Sequence, residues 1–400
     1  MRKVNKIDQE TYKNLNRQII LNYVRKHNEI SRIDLAQYTK LSPTTVSVII
    51  DELISKKMIT EIRIGESSGG RRPVMLGVNP NARYVITAIL THKDVSYTVV
   101  DLSCKVLEKE HIICDINSEE AVRNVVKEGL NSIMQKYIYD KTKICGIGVS
   151  IPGVIDHNKG RVLYSSKLHL KDFDISSIIQ SQVGIKCHLF KDSDAFMLGE
   201  YNFGAASLYK NIVYINIDNG VGMSYINSGK LFQPGYGGGF ELGHITIDSN
   251  GPLCRCGNRG CLATVVSENP ALIKLENLIK KGYESCIDIT KKLSLKEIVE
   301  YSNIGDKAAK YVLEEQARIL GTAVASVINL FNPQLVVIGG PLSKCTWGFL
   351  DILKNTVRDR ALETYSRSVK IEYAKLGDDS ALLGMANEIF EIEIFKPVEL

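Results

Sequence analysis

In the segment ELGHITIDSNGPLCRCGNRGCL, His244 is followed by Cys254, Cys256 and Cys261. Three thiols and one imidazole form a donor set for a closed tetrahedral zinc site, with no ligand position left open for catalysis. Gly257 and Gly260 give the backbone the freedom to fold back so that the donors converge. Three cysteines packed this closely argue against unrelated surface thiols. The expectation is one structural zinc per chain, held by His244, Cys254, Cys256 and Cys261. The remaining cysteines (Cys104, Cys114, Cys145, Cys187, Cys286 and Cys345) lie scattered in apolar or mixed segments and read as buried, reduced thiols.

A second set of residues suits nucleic acid. Ser42-Pro43 is a strong helix start, serine at the cap and proline at the first helical position. Behind it Val46, Ile49, Ile50 and Leu53 repeat at helical spacing, while Thr44, Thr45 and Ser47 put short hydroxyls on the first turns. Short hydroxyls at the start of a recognition helix allow close approach to base edges. Upstream, residues 12–27 place Leu15, Ile19, Ile20 and Tyr23 on one helical face, and Ser31 with Asp34 caps a short helix carrying Ile33, Leu35 and Ala36. Three helices with a tight turn before the last give a helix-turn-helix. In isolation the pattern also fits a capped helical hairpin. Residues 58–64 then alternate like a strand. A glycine-rich tip at 65–70, Arg71-Arg72-Pro73 and a second strand from Val74 complete a wing, with Arg71 and Arg72 set to meet phosphates or a narrow minor groove. The predicted DNA-contacting residues are Ser42, Thr44, Thr45, Ser47, Arg71 and Arg72.

Charge follows the same division. Of the 400 residues, 1–83 carry 15 Lys/Arg against 8 Asp/Glu, whereas the rest carry 35 against 37. The basic excess therefore lies wholly in the predicted head, as for a nucleic-acid-binding unit on a neutral body. From Tyr84 onward apolar strands (YVITAIL, YTVVDL, ICGIGVSI, NIVYINI, QLVVIGG) alternate with helical stretches, so the body is α/β. No run is long and apolar enough to span a membrane, and the N-terminus has no signal-peptide character, so a cytoplasmic location without membrane partners is expected.

These motifs together resemble the ROK family of repressors and sugar kinases. SRIDLAQYTKLSPTTVSVIIDELI and GRRP are similar to the head of its repressors, and GVSIPGVID, KDSDAFMLGE, ELGH, CRCGNRGC and VVIGGPLS to successive motifs of its body. The resemblance implies a winged helix-turn-helix at 1–80 followed by an actin-like, two-lobed sugar-kinase fold. One lobe would take 84–197 plus 380–400, with a last helix near 380–395. The other would take 198–379 and carry the zinc site. It also implies a ligand cleft between the lobes, with Asp192 in the place of the kinase base and Glu241 and His244 beside the sugar.

Several positions depart from the kinase pattern. The loop after the first body strand, AILTHKD, has Ile89 where kinases carry an acidic residue, and Thr91 and His92 where they carry glycines. Glycine is what lets backbone N–H groups approach phosphates, so this loop is unsuited to ATP. Asp192 is then a vestigial base. The second glycine turn, Asp218-Asn219-Gly220-Val221-Gly222, survives. Ala263 stands in place of a glutamate and Lys167 in place of an asparagine, a change toward positive charge that favours a sugar phosphate or sugar acid. The expected ligand contacts are Lys167, Asp192, Glu241 and His244. The function implied is a sequence-specific transcriptional regulator, a homodimer or homotetramer that represses carbohydrate-utilisation genes from a DNA operator in response to a sugar or sugar derivative. The alternatives are an ATP-dependent sugar kinase with an accessory head, against which residues 88–94 speak, and a constitutive DNA-binding protein whose pocket has decayed.

Overall fold

The computed structural model describes residues 9–66, 72–137, 140–234 and 238–395. The head runs α1 (Gln9–His27), β1 (Ile30–Ser31), α2 (Arg32–Thr39), α3 (Pro43–Ser55), β2 (Ile59–Ile64) and β3 (Val74–Val78), with the strands paired antiparallel in the order β1-β3-β2. Ser31 and Asp34 form a reciprocal capping box at α2, and the Ser42 hydroxyl accepts from the Thr45 N–H at α3, so the two helix starts expected from sequence are in place. The face that α1 buries differs from the expected one. Ile20, Leu21 and Val24 are buried, while Leu15, Ile19 and Tyr23 are only partly covered and Ile33 of α2 is exposed. The reason is that α1 packs both on the head and on the body, which rotates its covered stripe.

The first body sheet uses β4 (Tyr84–Leu90), β5 (Asp94–Asp101), β6 (Val106–Ile113), β7 (Ile144–Ile151) and β11 (Cys187–Lys191) in the order β11-β7-β4-β5-β6. Helix α4 (Glu119–Tyr137) covers it, and β8 (Val154–Asp156), β9 (Arg161–Ser165), β10 (Leu170–Phe173) and α5 (Ile175–Val183) form an appendage. Helix α6 (Asp192–Phe203) leads to the second sheet. That sheet orders β12 (Ile212–Ile217), β13 (Val221–Asn227), β14 (Lys230–Leu231), β15 (Leu335–Gly339) and β16 (Lys370–Tyr373) as β14-β13-β12-β15-β16. Its helices are α7 (Ala263–Val266), α8 (Glu268–Lys280), α9 (Leu295–Asn303), α10 (Lys307–Phe331), α11 (Phe349–Arg360) and α12 (Glu363–Ser368). The chain returns to the first sheet as α13 (Asp379–Phe390), continued by a π-helical turn at Glu391–Phe395. The division expected at 197/198 falls inside α6, which packs against both sheets.

In the first sheet β4, β7 and β11 are parallel, and in the second β12, β15 and β16 are parallel. Ligands in open α/β sheets bind beyond the carboxyl ends of such strands. Both sets of ends open onto one cleft, between the loops after β4, β7 and β11 and those after β12, β15 and β16. The head is not a separate bead. A single apolar core runs from Ile20, Val24, Leu35, Val46 and Ile50 through Val85 and Leu198 to Met385, Ile389 and Phe395.

Candidate functional site

The cleft has a volume of about 1140 Å³. Asp192 is the first residue of α6, directly after the parallel strand β11, and so stands at the cleft floor. Burial raises its carboxyl above the usual range, against the lowering influence of Lys167 and Lys191. Lys167, Glu241 and His244 line the same cleft, as does Ala263. Among the described residues Lys167 has no hydrogen bond or ion pair within 4 Å. Its charge acts instead on Asp192, on Asp218 and on His92, whose imidazole is lowered first by burial and then by Lys93, Lys167 and Arg255. The Lys167 ammonium therefore lies free of a direct partner among the described residues, facing the cleft.

One residue of the cleft went unremarked in the sequence. Lys191, the last residue of β11, is almost wholly buried, with its ammonium 2.8 Å from Glu241 Oε1 and 2.9 Å from the Gly239 carbonyl oxygen. It is the residue just before Asp192, and a lysine closing an apolar strand was the available signal. Across the cleft, Lys93 lies 3.4 Å from Glu268 at the start of α8, an ion pair that joins the two lobes. The Glu268 N–H donates to the Asp218 carbonyl at 2.9 Å, and its other carboxylate oxygen accepts from Leu295 N–H at 3.0 Å. Burial raises the Asp218 carboxyl, and the neighbouring Glu268 raises it further.

The loop after β4 is a tight hairpin rather than an open phosphate cradle. The Thr91 N–H donates to the Asp94 carbonyl at 2.9 Å, and the Lys93 and Asp94 N–H groups both donate to the Thr91 hydroxyl at 3.1 Å. Three N–H groups of the stretch are therefore engaged within the chain.

His244, Cys254, Cys256 and Cys261 converge, with their donor atoms all within 4.8 Å of one another. Cys254 Sγ is 3.6 Å from His244 Nδ1 and Cys256 Sγ is 3.7 Å from Cys261 Sγ. A tetrahedral zinc with Zn–S of about 2.3 Å and Zn–N of about 2.0–2.1 Å needs ligand atoms roughly 3.5–3.8 Å apart, so the donor set fits the ion. Gly257 and Gly260 have φ of +91° and +64°, and a Cβ on Gly260 would strike the Asp248 carbonyl. Of the scattered thiols, Cys345 is buried and Cys104, Cys114, Cys145 and Cys187 are partly so, but Cys286 is exposed. Its N–H donates to the Asp306 carboxylate at 2.7 Å.

On the head, Val46, Ile49, Ile50 and Leu53 are the buried side of α3. Ser42 and Thr44 are exposed, Thr45 and Ser47 half-buried, and the Thr45 hydroxyl hydrogen-bonds that of Ser42 at 2.8 Å. The outward face also presents Val48, 56% exposed, one helical turn beyond Thr44. Its spacing from Thr44 was the sequence signal that it shares this outward face. Arg32 of α2 braces this helix through Asp51 at 2.6 Å and the Ser47 carbonyl at 3.2 Å. Arg72 is exposed, whereas Arg71 and the wing tip at 67–71 lie outside the described residues.

A winged helix-turn-helix head fused to a two-lobed body with a ligand cleft defines a class of DNA-binding proteins built on a sugar-kinase scaffold. The ROK family model matches residues 91–390, and a winged helix-turn-helix DNA-binding model matches 13–60. The chain belongs to the ROK family. It is 29% identical to the xylose repressor of Bacillus subtilis (strain 168) over 384 residues, 96% of this chain and 97% of the relative. It is 27% identical to the DNA-binding transcriptional dual regulator NagC of Escherichia coli (strain K12) over 370 residues, 92% and 91% of the two chains. The crystal structure of a ROK family transcriptional regulator, a homologue of the Escherichia coli MLC protein, superposes with a TM-score of 0.83 at 27% identity, covering 96% of this chain and 97% of that one. A ROK family glucokinase from Streptomyces griseus shares the body fold, with a TM-score of 0.68 at 22% identity over 76% of this chain and 98% of its own. Among the described residues no helix is long and apolar enough to cross a membrane.

Proposed function

We propose that this protein is a sequence-specific transcriptional regulator, a repressor of carbohydrate-utilisation genes that leaves or holds its operator according to a sugar or sugar derivative in the cleft. The observation that carries this reading is the shared core. The recognition helix and the cleft residue Asp192 stand on elements packed into one apolar body, so a ligand that alters the cleft has a solid path to the head. The likeness over nearly the whole chain to proteins named xylose repressor and N-acetylglucosamine repressor supports the same reading.

In this reading α3 enters the major groove with Thr44, Thr45, Ser47 and Val48 toward base edges, and Arg71 and Arg72 hold the phosphates. Two heads on a symmetric homodimer, or on a homotetramer built from such dimers, read a two-fold symmetric operator, and the protein works in the cytoplasm, where that operator is reached. Lys167, Asp192, Glu241 and His244 contact the effector. Zinc at His244, Cys254, Cys256 and Cys261 has a structural role, fixing the Glu241–His244 turn at the cleft wall. The protein does not transfer phosphate. Phosphoryl transfer depends on positioned phosphates and Mg²⁺, and the N–H groups of the loop after β4 are already bonded to Thr91 and Asp94. Selection of random duplex DNA on the full chain tests the reading. A two-fold symmetric consensus, lost on Thr45→Ala with Val48→Ala, supports it. Salt-sensitive binding without any sequence preference contradicts it.

A further inference from the structure

Helix α6 is held by both lobes. Asp192 and the preceding Lys191 face the cleft, the Ser193 hydroxyl donates to the Met223 carbonyl of β13 at 3.2 Å, and the Ser224 hydroxyl of β13 donates to Asp194. Any change in how the lobes close around a ligand therefore acts on α6. Helix α6 in turn is interlocked with α13. A Cβ on Gly199 would strike the Ser380 carbonyl, and one on Gly384 would strike the backbone of Ala195 and Gly199. The Ser380 hydroxyl donates to the Phe196 carbonyl at 2.8 Å. Glu200, fully buried, accepts from the N–H groups of Lys375 and Leu376 at 2.9 and 2.8 Å, on the segment that leads into α13. Helices in backbone contact through glycine cannot slide past each other without a clash, so they move as one body.

The far end of α13 grips the head. Arg25 of α1 lies 2.5 Å from Glu391, hydrogen-bonds the Asn387 side-chain oxygen and stacks its guanidinium 4.1 Å over the Phe395 ring. Asn22, one turn earlier, donates to the Phe395 carbonyl at 2.7 Å. The π-helical turn at Glu391–Phe395 brings these acceptors under α1. On its other side α1 is tied to the recognition helix by the Arg17–Glu52 ion pair and the common core.

We infer that α6 and α13 form a rigid lever between the effector cleft and the DNA-binding head, and that Arg25 is the positioning residue through which the head follows it. The inference rests on the sensor reading above and names its internal route. It requires a two-state element biased at both ends, and assigns that role to the lever.

The test uses the full chain, its selected operator, and D-xylose, D-glucose, N-acetyl-D-glucosamine and the 6-phosphates of the last two as probes. In the native protein the best-binding probe should weaken operator affinity at least tenfold. In Arg25→Gln the same probe should bind the cleft with unchanged affinity by calorimetry, yet shift operator affinity less than threefold. Glu391→Gln should act in the same direction, and Arg25→Lys should fall between. A full shift retained in Arg25→Gln overturns the lever and leaves the sensor reading standing. If no probe alters operator binding in the native chain, the sensor reading itself falls. The lever is then decided by Asp192→Asn, which changes the cleft without a sugar. An effect on operator affinity in the native background that vanishes with Arg25→Gln supports coupling of these distant sites. Absence of any effect, or an equal effect in both backgrounds, overturns it.

Discussion

At Asp192 burial and charge oppose each other. Burial holds the carboxyl above the usual range, and Lys167 and Lys191 pull it back. A carboxyl whose folded pKa is raised contributes stability below its unfolded pKa of about 3.9, and that contribution is lost as pH rises through the higher folded value. Asp192→Asn should therefore raise the melting temperature at pH 7, and the gain should shrink toward zero as the pH falls below about 4. A gain that persists undiminished in acid would contradict this account. The cluster of His244, Cys254, Cys256 and Cys261 makes a different prediction if it holds zinc as proposed. Cys256→Ser should remove the metal by elemental analysis and cost about 3–5 kcal/mol, since metal loss is among the few single changes with effects of that size. A native chain that purifies with no zinc while all three thiols titrate freely would remove the site altogether. This donor set was legible in the sequence because all its ligands lie within one short segment. Lys191 was not, because nothing in the strand itself says that its ammonium turns to Glu241 50 positions away.

Among the elements, the head was the most legible. Caps are local chemistry, so Ser31-Asp34 and Ser42-Pro43 marked α2 and α3 without knowledge of anything distant. The covered face of α1 was misread in part because the distant π turn also packs on it, and Arg25 meets Asn387 362 positions away. Strand β6 escaped notice for another reason: at the sheet edge its residues are largely exposed, and Glu108, Lys109 and Glu110 hide the apolar alternation. The α1–α3 join also yields a pH prediction. A side-chain hydrogen bond from Lys56, helped by Arg17, pushes the Glu52 carboxyl down to about 2. Its stabilising contribution is present above the ordinary value of 4.5 and is lost as pH falls toward 2. Glu52→Gln should flatten the head's loss of helicity in that window, by far-ultraviolet circular dichroism between pH 5 and 2. An unchanged acid limb would show that the join carries no such load.

For the whole molecule, the architecture explains how a kinase scaffold can serve as a switch. Two sheets aim the ends of their parallel strands at one cleft, the Lys93–Glu268 pair spans it, and the loop that would cradle phosphates is closed on itself. Coupled assays with ATP, Mg²⁺ and the common hexoses should give no turnover above background, and turnover abolished by Asp192→Asn would reverse the assignment. The central claim is that the cleft and the operator-binding head are coupled, and coupling is reciprocal. Fluorescence anisotropy of the full chain on its selected operator, titrated with the sugar or sugar phosphate that best stabilises it, measures this directly. The account predicts that operator affinity falls at least tenfold at saturation and that operator DNA weakens binding of the same sugar by the same factor. A sugar that fills the cleft and leaves operator affinity unchanged would contradict it.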